Sequence, residues 1–403
     1  MRISLKQILL LFLCLVSIPY QITAANTDEK SVLNLKSDIV QHYADIMEAQ
    51  YSDSVTAALR LRDVIETFLK NPTANGLTAA RNEWITSRQS YSQSEVGRFY
   101  DGPIEPLEEY INAWPIDLNY IDYTVGMPDS GIINQTNLYP QLTQNLLLGA
   151  NQRQGENESE QEAERAVSTG FHAIEFLLWG QDLYADTPGR RAYTDYVKTA
   201  NGPGRNAGRR REYLQLLTQL LADQLQAVAD QWAANNPTNY CARFLSAPPD
   251  AALEKIITGA GNLSSSELAG ERMLVPYTTK SQENEQCCFS DSTHLDLLRN
   301  EMGIQDVWLG SYTRTDGAIL TGPGLITLLE QADPKLAAIL QQQLETTIAA
   351  IRSIPAPFDQ AILGNDSTPG RLAVKKALDA LQAQNTSIVH AAAVLHLRLN
   401  LKN

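Results

Sequence analysis

Apolar residues recur at spacings of three and four along most of the chain, and strand-like alternation is almost absent. The pattern predicts a helix over residues 29–70, closed by Asn71-Pro72, and a second over 76–100, closed near Asp101-Gly102-Pro103. Residues 103–135 lose the period and carry prolines and aromatics, which predicts a packed, ordered loop. A polar stretch over 150–162 leads into a helix predicted over 162–180. After an exposed crossing over 186–211, a long helix is predicted over 209–235 and ends at Asn235-Asn236-Pro237. Further on, Pro249-Asp250 opens a helix ending near Gly259, and Ser264 and Glu267 stand at capping-box spacing. Ser290-Asp291-Ser292 opens a helix that Gly303 stops. Asp333-Pro334, an N-cap followed by proline at the first helical position, opens one running to Ile354-Pro355. A last helix covers about 370–400. The expectation is an all-α chain of two antiparallel helical-bundle domains, over 26–240 and 241–403, with a polar site between them.

Residues 1–25 read differently. Arg2 and Lys6 precede an apolar run, Ile8–Ile18, too short to span a bilayer, and Ile22-Thr23-Ala24-Ala25 supplies small residues. That is the pattern of a secretory signal peptide. No later run is long enough for a transmembrane helix. The formal charge of −14 argues against a nucleic-acid or anionic-membrane binder. Three cysteines follow the leader, Cys241, Cys287 and Cys288. In an oxidising compartment they allow one disulfide, Cys241 with Cys287 or Cys288, and one spare thiol.

The most unusual stretch is Gly170-Phe171-His172-Ala173-Ile174-Glu175-Phe176-Leu177-Leu178-Trp179-Gly180. Its ionisable groups are His172 and Glu175, one helical turn apart on one face of a segment apolar nearly all round. Such a pair is costly to bury unless it is hydrogen-bonded or holds a metal. By themselves the two fit a satisfied core pair, and zinc normally takes three or four protein ligands. Gly170 implies a close approach to the backbone, since glycine inside a helix costs about 1 kcal/mol relative to alanine.

A second stripe, Arg81, Trp84, Arg88, Tyr91, Glu95 and Arg98, follows the same helical spacing. A solvated face explains its charges but not its aromatics; a buried or cleft-lining network explains both. Its arginines are placed to hold Glu95, Glu175 or Asp291 ionised, or to bind an anion. A third cluster, Glu283 to His294, packs Cys287, Cys288, carboxylates and an imidazole into twelve positions. Ser290 and Asp291 there fit ordinary caps.

Several blocks, in order, carry a family resemblance. Gly170-x-His172-x-x-Glu175 resembles the G-x-H-x-x-E signature of the imelysin family. Arg81-x-x-Trp84, Glu95-x-x-Arg98-Phe99-Tyr100, Ile111-Asn112-Ala113-Trp114-Pro115 and Tyr120-Ile121-Asp122-Tyr123 resemble its first half. Gly270-Glu271-Arg272-Met273, Cys288-Phe289-Ser290-Asp291-x-Thr293-His294, Thr315-Asp316-Gly317 and Ile354-Pro355-x-Pro357-Phe358-Asp359 resemble its second. The nearest subgroup is that of iron-regulated protein A and the insulin-cleaving outer-membrane proteins.

The resemblance implies two bundles with a polar groove between them, in a bacterial periplasmic or outer-membrane-associated protein of iron uptake. It implies iron, another divalent metal or an iron-bearing ligand at His172 and Glu175, with Asp291 and His294 as candidate partners, and an envelope transport partner. A carboxylate and an imidazole suit iron better than copper(I). The groove would be lined by Arg81, Trp84, Arg88, Glu95, Arg98, Trp114, Asp122, Ser290 and Ser292. The resemblance also brings the label of a metallopeptidase acting on exported or external proteins, although the standard zinc helix H-E-x-x-H is absent. A third reading is a metal-free module that binds a peptide or glycan.

Overall fold

The computed structural model describes residues 18–151, 167–200 and 203–402. Most of the expected leader, residues 1–17, lies outside the described residues, as do residues 152–166 of the polar stretch and the start of the predicted 162–180 helix.

Among the described residues, the α-helices of ten residues or more are α1 (Ile18–Lys70), α2 (Ala74–Ser94), α3 (Gly170–Trp179), α4 (Ala207–Trp232), α5 (Pro249–Asn262), α6 (Thr293–Leu309), α7 (Pro334–Arg352) and α8 (Pro369–Val394). Helix α1 packs on α2 and α4, and α3 lies against α2 and α4. Helices α6, α7 and α8 pack in succession, and α2 meets α6 across the two halves. The buried apolar side chains form one cluster from Ile39 to Leu397. No helix among the described residues is long and apolar enough to cross a membrane.

Local chemistry accounts for several boundaries. The Thr73 hydroxyl accepts the Gly76 N–H at the start of α2. Asp333 accepts the N–H groups of Lys335 and Leu336 at the start of α7, with Pro334 in the first turn, as its sequence predicts. Residues 103–135 form an ordered loop with short helices at Glu108–Ile111, Leu118–Ile121 and Gly131–Asn134.

Two predicted stops are not stops. Helix α5 runs past Gly259 and continues without a break as a π-helix over Leu263–Leu274, then as Val275–Thr279. Ser264 and Glu267 therefore lie inside a helix and form no capping box. A Cβ on Gly259 would meet the Val96 and Arg98 carbonyl oxygens at 2.8 and 2.9 Å, so the glycine admits a neighbouring turn. Gly303 likewise lies within α6, where its bare face admits the Gln93 carbonyl. The helix ends instead at Gly310, which is left-handed at φ 66°.

Helix α3 also differs from its expected extent. Residues 167–169 are not helical, and α3 starts at Gly170. The chain adds a ribbon that periodicity missed, β1 (Ser311–Thr313) paired antiparallel with β2 (Ile319–Thr321), Tyr312 opposite Leu320. Asp53 of α1 holds it, accepting from the Tyr312 hydroxyl at 2.8 Å and from Arg314 at 2.6 Å. Cys241, Cys287 and Cys288 are all buried free thiols, so the expected disulfide is not formed.

Candidate functional site

The charged and aromatic stripe of α2 is what positions α3. Trp84 is fully buried, packs edge-on against Phe171 and Trp179, and donates its indole N–H to the Phe171 carbonyl at 3.0 Å. Arg81 donates to the Leu178 carbonyl at 2.9 and 3.1 Å and to the Arg191 carbonyl at 2.8 Å. It thereby satisfies a carbonyl that the end of α3 leaves without a helical partner. At the other end Gly170 has φ 87°, and a Cβ there would stand 2.6 Å from the Ile111 oxygen. The close approach predicted at Gly170 is that of the Ile111 backbone.

Held in this way, α3 presents His172 and Glu175, both buried, to the loop before α6. His172 Nδ1 lies 3.0 Å from Glu175 Oε2. Glu175 Oε1 accepts from the Ser290 N–H at 2.9 Å and the Ser290 hydroxyl at 2.6 Å, and Ser290 Oγ lies 2.7 Å from Ser292 Oγ. Trp114 packs on the imidazole, ring centroids 4.9 Å apart, and on Phe289. His172 Nε2 is buried with no hydrogen-bond partner among the described residues.

Cys287 completes the cluster. One donor atom from each of His172, Glu175 and Cys287 lies within 4.8 Å of the other two. The Cys287 thiol donates to Asp296 Oδ2 at 3.1 Å, and Asp296 accepts from Arg88 Nε at 2.8 Å and from Ser92 Oγ at 3.0 Å. Arg88 also binds the Asn112 side-chain oxygen, and Asn112 donates to Glu95 Oε1 at 3.1 Å. Glu95 is in turn gripped by Arg98 and by Arg272 of the π-helix.

Electrostatics follow from this burial. Desolvation, with Arg88 and Arg272 nearby, pushes His172 well below the ordinary imidazole range, so the ring is neutral. Burial pushes Glu175 up to about 8, against the hydrogen bonds from Ser290. Burial also pushes the Cys287 thiol up, and Asp296 and Glu175 add to it. At neutral pH the cluster is therefore a neutral imidazole beside a protonated carboxyl and a protonated thiol. Its N, O and S donors fit a borderline divalent metal that displaces those protons.

Ser290 and Trp114 touch the His172–Glu175 pair, Ser292 meets it through Ser290, and Arg88 lies over the Phe171 ring. Arg88 serves Asp296, however, and neither it nor Arg98 pairs with Glu175 or Asp291. Asp122 belongs to a different cluster. Burial would raise its carboxyl, but Arg191 and Arg210, each 2.7 Å away, outweigh that and hold it low. Asp291 and His294 do not join the three-donor set. Ser290 and Asp291 are not caps: the Ser290 hydroxyl goes to Glu175, and Asp291 has φ 55° with both side-chain oxygens unpartnered among the described residues. Sequence reasoning missed Cys287 as a donor and Asp296 altogether. The available signal was the thiol pair lying just ahead of a helix start.

Fold and site define a helical protein built around a buried imidazole–carboxyl–thiol cluster, assembled from both halves of the chain. Residues 47–388 match the family model described as Imelysin (Peptidase_M75), and the chain belongs to the imelysin family. It is 25% identical over 363 residues to iron-regulated protein A of Synechococcus elongatus, covering 88% of this chain and 85% of that one. A crystal structure assigned as an iron-regulated protein A precursor from Parabacteroides distasonis shares the fold at TM-score 0.69 and 18% identity, over 90% of this chain and 95% of that one. An imelysin-like protein from Psychrobacter arcticum matches at TM-score 0.63 and 15% identity, over 92% and 98%. The chain is thus a member of a peptidase-named family with a relative named for iron regulation.

Proposed function

We propose that the chain is an exported binding protein of iron uptake that holds iron, or another divalent metal, at His172, Glu175 and Cys287. The observation that carries this reading is the convergence of three donors within 4.8 Å. The buried, unpartnered Nε2 of His172 supports it, because such an atom is costly unless something binds it. The relative named iron-regulated protein A favours iron among the metals. Export rests on the leader pattern of residues 1–25. Ser290 orients Glu175, Trp114 covers the imidazole with Phe289 packed against the indole, and Asp296 fixes the thiol through a hydrogen bond. A bound metal would supply Lewis acidity. The family's peptidase name is a second reading, but His172 is 1% exposed and Glu175 0%, which leaves no face for a peptide bond to approach.

The test is titration of Fe(II) and Zn(II) into the chelator-stripped chain, with metal stoichiometry and melting temperature as readouts. One metal per chain and a raised melting temperature are expected, lost in His172→Ala, Glu175→Gln and Cys287→Ser. No binding by the parent chain, or equal binding by folded variants, overturns the reading.

A further inference from the structure

Beside the inner cluster lies a set of carboxylates that it does not use. Asp182 and Asp186 follow α3, Glu285 and Asp291 flank the two thiols, and Asp359 opens the short helix Phe358–Ile362. The stretches are tied together. The Gly189 N–H donates to the Phe289 carbonyl at 2.9 Å, and the Gln282 amide donates to Asp182.

Two of these acids are buried with nothing to pair with. Glu285 is 0% exposed and Asp291 6%, and all four of their side-chain oxygens lack a hydrogen-bond partner among the described residues. The Thr293 hydroxyl softens the field at Glu285 without reaching hydrogen-bonding geometry. Apart from burial, the field at Asp291 is that of Asp359, Asp182 and Asp186. At Glu285 it is led by Asp359 and joined by Asp291 and Asp182. The guanidinium near Asp182 is that of Arg190, which stacks 3.8 Å over Tyr184 and donates to Thr187. Asp291 is moreover held in the left-handed region at φ 55°, which a non-glycine residue rarely adopts and which concentrates at functional sites.

Buried carboxylates that repel one another and lack donors are expected to be paired, protonated or bound to a cation. We propose that Glu285, Asp291, Asp182 and Asp359 form a second cation site, distinct from the inner donors, that holds a hydrated divalent cation. An all-carboxylate set suits hard cations such as Mn(II), Mg(II) or Ca(II), unlike the N, O, S set within. Its oxygens are not drawn together within 4.8 Å as the inner donors are, so water completes the coordination. The site does not depend on whether the inner cluster takes a metal.

The test uses Mn(II) and electron paramagnetic resonance on the His172→Ala chain, with Cys287→Ser as a second background should the first fail to fold. One Mn(II) per chain is expected in that background. Adding Asp182→Asn and Asp359→Asn should weaken it at least tenfold. In cation-free buffer the two asparagines should raise the melting temperature, because they remove repulsion, and the further rise on adding Mn(II) should disappear. No Mn(II) binding in a folded background, or equal affinity with and without the two carboxylates, overturns the proposal.

Discussion

Arg272 and Glu95 meet through two parallel hydrogen bonds, Nη1 to Oε2 and Nη2 to Oε1, each 2.8 Å. The pair joins the π-helix to the turn after α2, and both residues are buried. Burial alone would raise Glu95, but Arg272, Arg98 and Arg88 hold its carboxyl well below the ordinary range. The Asn300 amide adds a bond to Glu95 Oε2 at 2.9 Å. Breaking such a pair leaves an uncompensated buried charge. Arg272→Met is expected to cost about 3–5 kcal/mol. Arg272→Lys should recover only part of that, since an ammonium lacks the planar fork that matches both carboxylate oxygens. Urea unfolding of the two variants checks the ranking.

Gly303 carries a second prediction. A Cβ there would stand 2.2 Å from the Gln93 oxygen, and that oxygen belongs to backbone. Helices α2 and α6 would have to separate. Gly303→Ala is expected to destabilise the chain by about 1–3 kcal/mol, although alanine favours helix. A folded variant with unchanged urea midpoint would show that the two helices do not approach so closely.

These two positions show which features the sequence made legible. Helical periodicity and the Asp333-Pro334 start could be read because their causes are local. Gly303 and Gly259 read as stops because a glycine that ends a helix and one that admits a neighbouring backbone look alike in one dimension. The π-helix left no signal for a similar reason: its register is set by Arg272 reaching Glu95 and Gln384 reaching Ser264, partners 177 and 120 residues away. The ribbon was invisible because each strand has three residues, too few to alternate. At the site, His172, Glu175 and the α2 stripe were legible as ionisable groups in apolar surroundings. Asp296 was not, because an acid in the first turn of a helix is ordinary.

Asp306 sets a pH dependence outside the site. Burial pushes its carboxyl up to about 8, against hydrogen bonds from Gln93 and Gln50. The folded state therefore keeps a proton that the unfolded chain gives up near 3.8. A raised pKa contributes stability that is full below the unfolded value and is lost as pH rises toward about 8. Asparagine keeps the acceptor for both glutamines and cannot ionise. Asp306→Asn should thus gain on the parent chain as pH is raised from 5 to 8, by at least about 1 kcal/mol. Parallel pH–stability curves for the two chains would show that Asp306 does not hold that proton.

The last prediction concerns protons at the inner cluster. A metal on Glu175 and Cys287 must displace a carboxyl proton held up to about 8 and a thiol proton held above its ordinary value. His172 contributes none, because its ring is already neutral. Affinity should therefore rise with pH and keep rising through pH 8, with about two protons released per metal at neutral pH. Glu175→Gln, which loses the site, should show neither metal binding nor proton release. Calorimetric titration in buffers of different ionisation enthalpy counts the protons directly. The absence of proton release on metal binding would place the metal elsewhere than on these two groups.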